Sequence, residues 1–569
     1  MMSQSGISNR VFCSVLLLVT LTVFACERAS KQNLLDSGEA MTLPFVDATP
    51  ESGLGVYVHE TGAEGKFWFP ESMGPGLGII DYDGNGLPDI LVAGGGKWSG
   101  SDWNSVWLFR NDGGLQFSDV TQSVGLAGSD SYSMGVVVAD YDGDGLEDFL
   151  LTSLQGVSLY RNEGGSFTDR TAEAGLSIDS GWSTSSTFFD ADQDGDLDLL
   201  VGHYVDWSQD GDLWCSNDGT DKTYCTPTIY DGEPLRFYRN ERGVFENATG
   251  EMGFATGSGK TLGVVAGDLY GSSQPDVYVA NDTEPDQLFV ADASGRFDDV
   301  GLRVGIAYDE RGRARAGMGV DYGVIDESGI PSLVVGNFAE EMIGVYQRLG
   351  TDVFVDRSAA LRIGLPSLKT LTFGLALVDV NLDGHLDLVA ANGHIQPEIG
   401  RIRDNVTYAE PPHVFVNRGD GSFADVVSAD MDLAEPMVAR GMSYADLDRD
   451  GDPDVLFVEN SGGLRLWKNE SVEKGRVGAV IDLRDRRENV VRPSTTLGST
   501  IEVFSGGNRM IRWVKSGGSY MSSNESAAHF GWTEATKVDS IRIRWPDGEV
   551  QVEDDLVIEP FMVIDRKNL

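Results

Sequence analysis

Short apolar runs recur along most of the chain, each bounded by glycine and aspartate. Examples are MGVVVA at 134, LLVGH at 199, TLGVVAG at 261, FGLALV at 373 and VLFVEN at 455. Runs of this length, rich in β-branched and aromatic residues and closed by turn formers, predict strands rather than helices. Their order is regular. A glycine-bearing apolar stretch leads into an acidic phrase, and a β-type run leaves it. A second phrase follows (WLFRN, SLYRN, RFYRN, QLFVA, GVYQR, HVFVN, LRLWKN), and then a third built around Phe (FSDVT, FTDRT, FENAT, FDDVG, FVDRS, FADVV).

Each unit therefore supplies four short strands, the make-up of a β-propeller blade. The acidic phrase marks seven units, at 81, 140, 190, 268, 324, 379 and 446. The third phrase is missing after the seventh unit and stands instead before the first, as FVDAT at 45–49. An N-terminal strand that completes the last blade closes a ring and hides its edges. The expectation is an all-β, seven-bladed β-propeller over 45–470, followed by a small β-rich domain over 471–569.

Composition adds to this picture. Glycine makes up 71 of 569 residues, nearly twice average usage, as a turn-rich all-β chain requires. The formal net charge is −46, which argues against nucleic acid as a partner. At the start, Arg10 and the run VFCSVLLLVTLTVFA read as a secretory signal over 1–25. VFAC resembles a bacterial lipobox, making Cys26 a lipidation candidate, with a linker over 26–44; plain secretion is the alternative. A lipid at Cys26 would be the membrane contact. Cys215 and Cys225, in CSNDGTDKTYC, are expected to form a disulfide in an oxidising compartment, with a zinc pair as the rival.

The acidic phrase carries the chemistry. In DYDGDGLED, carboxylates fall at positions 1, 3, 5 and 9, and a glycine at position 6 turns the chain so that they converge. Alternating oxygen ligands suit Ca²⁺, which takes six to eight of them. The expected ligands are Asp81, Asp83, Asn85 and Asp89; Asp140, Asp142, Asp144 and Asp148; Asp190, Asp192, Asp194 and Asp198; Asp379, Asn381, Asp383 and Asp387; and Asp446, Asp448, Asp450 and Asp454. That makes about five calcium sites. The copies at 268 and 324 have lost most ligands and are expected to be metal-free. An EF-hand is excluded, since position 12 is Val92, Leu151 or Val201 in the first three copies. Such loops staple a hairpin rather than catalyse.

These phrases resemble the FG-GAP or VCBS repeats of integrin α-chain propellers and their bacterial relatives. The tail 497–551 is similar to the ASPIC/UnbV domain, through Gly498, Gly517-Gly518-Ser519-Tyr520, Ser522, His529-Phe530-Gly531, Val538-Asp539 and Trp545-Pro546-Asp547-Gly548. Trp532 departs from the leucine usual after His-Phe-Gly. The combination resembles the cartilage acidic protein 1 family, which implies an extracytoplasmic calcium-bearing protein, secreted or in the cell envelope, with no settled enzymatic activity.

If the acidic loops occupy one end of the blades, residues flanking the strands at the other end share the opposite face. These include Lys260, Arg313, Arg315, Lys369 and Arg440, together with Asn281, Asp282 and His394. Two readings stand. The cations take a carboxylate or sulfate ligand, or they pair with Asp282, Glu340 or Glu459 and hold the blades together. His394 is a metal ligand or base in one reading and a structural hydrogen-bonder in the other. ATGSGKT at 255–261 is not a P-loop, because the first glycine it requires is Phe254. The functional expectation is a non-catalytic binding or adhesion module for a protein, glycan or polyanionic ligand. The alternative is an envelope enzyme or biosynthetic accessory acting on a glycan or polyanion.

Overall fold

Each repeat unit folds into one four-stranded antiparallel sheet. In the second unit the strands are Ser133–Ala139, Asp148–Ser153, Gly156–Asn162 and Phe167–Asp169. The acidic phrase is the turn between the first two. The computed structural model describes residues 43–98, 103–128, 131–176, 180–350, 352–486, 496–534 and 537–567. The signal and Cys26 lie outside the described residues. Among those described, no helix is long and apolar enough to cross a membrane.

Seven such sheets follow one another, and none closes on itself. Their first strands are Leu77–Ile80, Ser133–Ala139, Ser183–Phe189, Thr261–Gly267, Gly317–Gly323, Thr372–Val378 and Ala439–Ala445. These are almost wholly buried. Each packs against the next, and Ala439–Ala445 packs against Leu77–Ile80. The seventh sheet takes its outer strand from the N-terminal side. Phe45–Asp47 pairs antiparallel with Leu464–Asn469, setting Phe45 opposite Asn469.

After Asn469 the chain builds two further sheets. In one, Val477–Arg484 lies between Ala528–Trp532 and Phe561–Asp565. The other runs in the order Asn508–Trp513, Thr500–Ser505, Lys537–Arg544, Val550–Val557. Their core is continuous with that of the repeats. One apolar cluster runs from Val137, Leu150 and Leu199 to Val514, Ile501 and Trp545, and residues Pro44–Leu569 form one compact unit.

The link between the two parts is the segment Lys515–Glu525, which enters among the first strands. Ser519 exchanges two backbone hydrogen bonds with Val320, at 2.7 and 3.0 Å. Met521 accepts from Val136 N–H at 3.0 Å, and Ser523 bonds Leu77 and Ile79 at 2.9 and 3.1 Å. Side chains add further contacts. Thr187 donates to Ser516 O, the Ser519 hydroxyl accepts from Leu375 N–H, and Ser443 donates to Ser523 O. Six of the seven first strands thus touch one segment. Two glycines make room for it: a Cβ on Gly76 would lie 1.8 Å from Met521 O, and one on Gly135 2.7 Å from Met521 Cβ. This gives a reason for glycines in the stretches that lead into the acidic loops.

Candidate metal centres

The acidic loops are built by their own hydrogen bonds. In the second copy, Asp140 accepts from Asp144 N–H at 3.1 Å and Gly145 N–H at 2.8 Å. Asp142 accepts from Asp144 N–H at 3.3 Å. Gly145 has φ +89°, a left-handed conformation suited to glycine that folds the loop back on Asp140. The first copy repeats this with Asp81, Asp83, Asn85 and Gly86.

Carboxylate oxygens then converge. Asp81, Asp83 and Asp89 offer oxygens within 4.8 Å of one another, as do Asp140, Asp142 and Asp148, Asp190, Asp192 and Asp194, and Asp446, Asp448 and Asp450. Burial, with help from neighbouring carboxylates, pushes Asp140 up to about 6, Asp190 to about 7 and Asp446 to about 8. Such groups ionise together only beside positive charge. Some of that charge is built in. Arg161 reaches Asp142 and Asp144, both at 2.6 Å, and Lys468 reaches Asp448 at 2.7 Å. Even so, Asn381 Oδ1, Asp446 Oδ1 and Asp448 Oδ1 are buried without a hydrogen-bond partner. These atoms and the hard, all-oxygen donor set fit a divalent cation.

The ninth-position aspartates have a structural role that the expected ligand pattern did not disclose. Asp148 is buried; Oδ1 accepts from Asn162 N–H at 2.7 Å and Oδ2 from Tyr141 N–H at 3.3 Å. Asp89, Asp198, Asp387 and Asp454 do the same with Asn111, Asn240, Asn417 and Asn469. Asp276 keeps its bonds to Leu269 and Tyr270 although its loop has lost other ligands. The asparagines, which end the third strands, tie neighbouring sheets. Asn162 Nδ2 donates to Tyr82 O, Asn240 to Tyr141 O, Asn417 to Ile325 O and Asn469 to Val380 O. Asn111 donates to Leu447 O at 2.7 Å, joining the first sheet to the seventh. The readable signal was the asparagine closing WLFRN, SLYRN, RFYRN, HVFVN and LRLWKN.

The C-terminal sheets lie against these loops. Arg512 donates to Gly384 O, Arg449 pairs with Glu525 at 2.5 Å and covers the Phe561 ring, and Gly451 packs on Gly478. A cleft of about 350 Å³ remains between the two parts, lined by Asp81, Asp140, Glu147, Arg449, Asp482 and Glu525.

At the other end of the sheets the expected ligand-face residues are mostly occupied with one another. Arg440 is fully buried on the Phe373 ring, and its guanidinium donates to the carbonyls of Ser72, Gly393, Ala439 and His394. It is not offered to a ligand, a correction to its place on that face. Glu340, Glu459 and Asp282 are not its partners; four carbonyls are. Lys260 pairs with Glu284 at 3.2 Å and Arg315 with Asp356 at 2.7 Å. Asn281 donates to Pro285 O, and Asp282 accepts from the Tyr204 hydroxyl at 2.6 Å, with burial pushing its carboxyl up to about 7. His394 is buried; Nδ1 accepts from Gln396 N–H, and burial and Arg440 push the ring down to about 4. Arg313 and Lys369 are the outward members, with side chains 64% and 48% exposed, though Arg313 pairs with Asp309 and Lys369 with Glu340.

Two segments cover this end. Phe69, Met73, Trp182, Tyr204 and Tyr230 form an apolar cluster that Tyr520 joins from the inserted segment. The insertion between Asp198–His203 and Arg236–Asn240 carries the Cys215–Cys225 disulfide, with Cα atoms 5.2 Å apart. From it Asn217 and Tyr224 reach Gln396 and Glu71.

Residues 81–151, 140–201 and 401–478 match the FG-GAP-like repeat, and 492–568 match ASPIC and UnbV. The chain carries FG-GAP-like repeats and an ASPIC and UnbV domain. Over 514 residues it is 23% identical to cartilage acidic protein 1 of Xenopus tropicalis, covering 84% of this chain and 71% of that one. It is 22% identical to the Mus musculus protein of that name, covering 78% and 76%. Among solved structures, an Agrocybe aegerita lectin that recognises non-reducing terminal N-acetylglucosamine aligns with a TM-score of 0.37 and 16% identity, over 64% of this chain and 81% of that one.

The matches divide the geometry cleanly. The FG-GAP-like repeats supply the acidic loops at 81, 140, 190 and 446. The ASPIC and UnbV domain supplies Gly517-Gly518-Ser519-Tyr520, the stretch that enters among the first strands. Tyr520 spans the gap, its hydroxyl donating to Met73 O at 3.0 Å.

Proposed function

We propose that the seven sheets are the blades of a closed β-propeller whose acidic loops bind about five calcium ions, and that the protein is a secreted or envelope-bound, non-catalytic binding module. The observation that carries this is the convergence of three carboxylates in each of four separate repeats. Mutual repulsion at that spacing is offset by a divalent cation, and the flanking strands make each ion a clamp on a hairpin. Support for the ring comes from the cyclic packing of the first strands and from Asn111 bonding Leu447. Support for an oxidising location comes from the disulfide; a lipid at Cys26 would set envelope attachment.

The partner is a protein, glycan or polyanion taken at the end away from the acidic loops. There Arg313 and Lys369 present positive charge outward. Calcium serves the scaffold, not a reaction.

The test is a thermal melt of the full mature chain with calcium and with chelator. Extracellular-type loops bind with Kd of about 10⁻⁴–10⁻³ M. Calcium at 100 times Kd stabilises by about 2.7 kcal/mol per site, so several sites give a large shift. A melting temperature indifferent to chelation would refute the calcium reading.

A further inference from the structure

The seventh acidic loop, DLDRDGDPD at 446–454, carries aspartate at every odd position. At position 7 the first two copies have Leu87 and Leu146 and the copy at 379 has His385, whereas the third has Asp196 and this one Asp452; among the described residues only Asp452 joins a further convergent group, through Glu473. Two groups of convergent carboxylates result. Asp446, Asp448 and Asp450 form the first; Asp450, Asp452 and Glu473 form the second, again with oxygens within 4.8 Å of one another. Asp450 belongs to both.

Asp452 is fully buried. Its Oδ2 accepts from Val472 N–H at 2.9 Å, while Oδ1 is buried with no hydrogen-bond partner. Asp446 Oδ1 and Asp448 Oδ1 are in the same condition. A buried carboxylate oxygen without a donor is costly unless a cation meets it or the carboxyl takes up a proton. The ammonium of Lys468 supplies one positive charge, 2.7 Å from Asp448, 3.0 Å from Glu473 and 3.5 Å from Asp450. The loop and Glu473 together carry six carboxylates, Asp446, Asp448, Asp450, Asp452, Asp454 and Glu473, and Lys468 pairs with three of them. A single divalent ion in the first group would leave the buried oxygen of Asp452 without a positive partner.

We infer that the seventh loop holds two hard divalent cations bridged by Asp450, the second bound by Asp450, Asp452 and Glu473. This rests on the calcium reading for the first ion and adds a site of different construction. Glu473, with its side chain 49% exposed, leaves one side open for water to complete an oxygen shell. The second ion also has a distinct mechanical consequence. Glu473 lies between the last strand of the seventh sheet, ending at Asn469, and Val477–Arg484 of the C-terminal sheets. The ion therefore pins the passage from repeats to tail.

The experiment is metal stoichiometry on the full mature chain after equilibration with calcium, by mass spectrometry of bound metal and by calcium titration. Asp452→Asn keeps an acceptor for Val472 N–H, and Glu473→Gln alters a half-exposed rim position, so both preserve the fold. Each variant is expected to lose one ion per chain while the other sites stay filled. A wild-type chain that binds several ions, with both variants unchanged, would overturn the second site alone and assign neutralisation to Lys468. A wild-type chain that binds none would overturn the calcium reading as well.

Discussion

Replacing Tyr520 tests whether the inserted segment is part of the repeat core or merely rests in it. Tyr520 is fully buried, its ring is edge-on to Phe373 at 4.8 Å, and its hydroxyl donates to Met73 O at 3.0 Å. Tyr520→Ala removes an aromatic ring from a packed cluster, a change that costs about 3–5 kcal/mol where neighbours cannot collapse into the gap. It also leaves the Met73 carbonyl without its donor, about 1 kcal/mol more. Tyr520→Phe keeps the ring and isolates the hydroxyl, with an expected loss of about 1–2 kcal/mol. The assay is urea denaturation in saturating calcium, followed by tryptophan fluorescence and far-ultraviolet circular dichroism. Trp182 packs in the same cluster as Tyr520, while Trp545 lies in the C-terminal core. Both probes should report one transition, shifted to lower urea in the order wild type, Phe, Ala. An Ala variant with the wild-type midpoint, or separate transitions for the two probes, would refute a shared core.

Two further outcomes follow from the same structure. Asn111→Ala deletes the donor to Leu447 O and Pro88 O and should destabilise by about 1–3 kcal/mol, whereas Asn217→Ala, in the exposed disulfide loop, should change little; equal midpoints for the two in urea would deny the first sheet its tie to the seventh. For pH, Asp140, Asp190 and Asp446 sit at about 6, 7 and 8 in the folded chain, above the usual carboxylate value of about 3.9. The folded chain therefore holds more protons than the unfolded one across that window. The stability these groups contribute is complete below about pH 4 and is lost as pH rises through about 6–8. Chelated protein should melt at progressively lower temperature across that rise, and saturating calcium should flatten the trend. A melting temperature that climbs over the same range in chelator would contradict the assignment.

The repeats were legible because their physics is local. Strand length, the glycine at loop position 6 and carboxylates at alternate positions are neighbours in sequence, so DYDGDGLED shows its hairpin and its oxygen cluster before any fold is known. The displaced FVDAT was legible for the same reason: a missing strand in one unit and a spare one elsewhere can be matched by count. By itself, then, the sequence determined the all-β class, the sheet units and the acidic loops, and it narrowed Cys215 and Cys225 to a disulfide or a zinc pair, which the structure resolves as a disulfide. It could not determine what fills the space between first strands. That depends on Lys515–Glu525 arriving between 80 and about 445 residues after the strand residues it bonds, and no local pattern in KSGGSYMSSNE announces a destination. Arg440 shows the same limit. Its charge and position suggested an exposed contact, but the carbonyls of Ser72 and Gly393, brought in from other units, enclose it. Periodicity reports which way a side chain alternates; only tertiary packing decides whether water or a distant backbone meets it there.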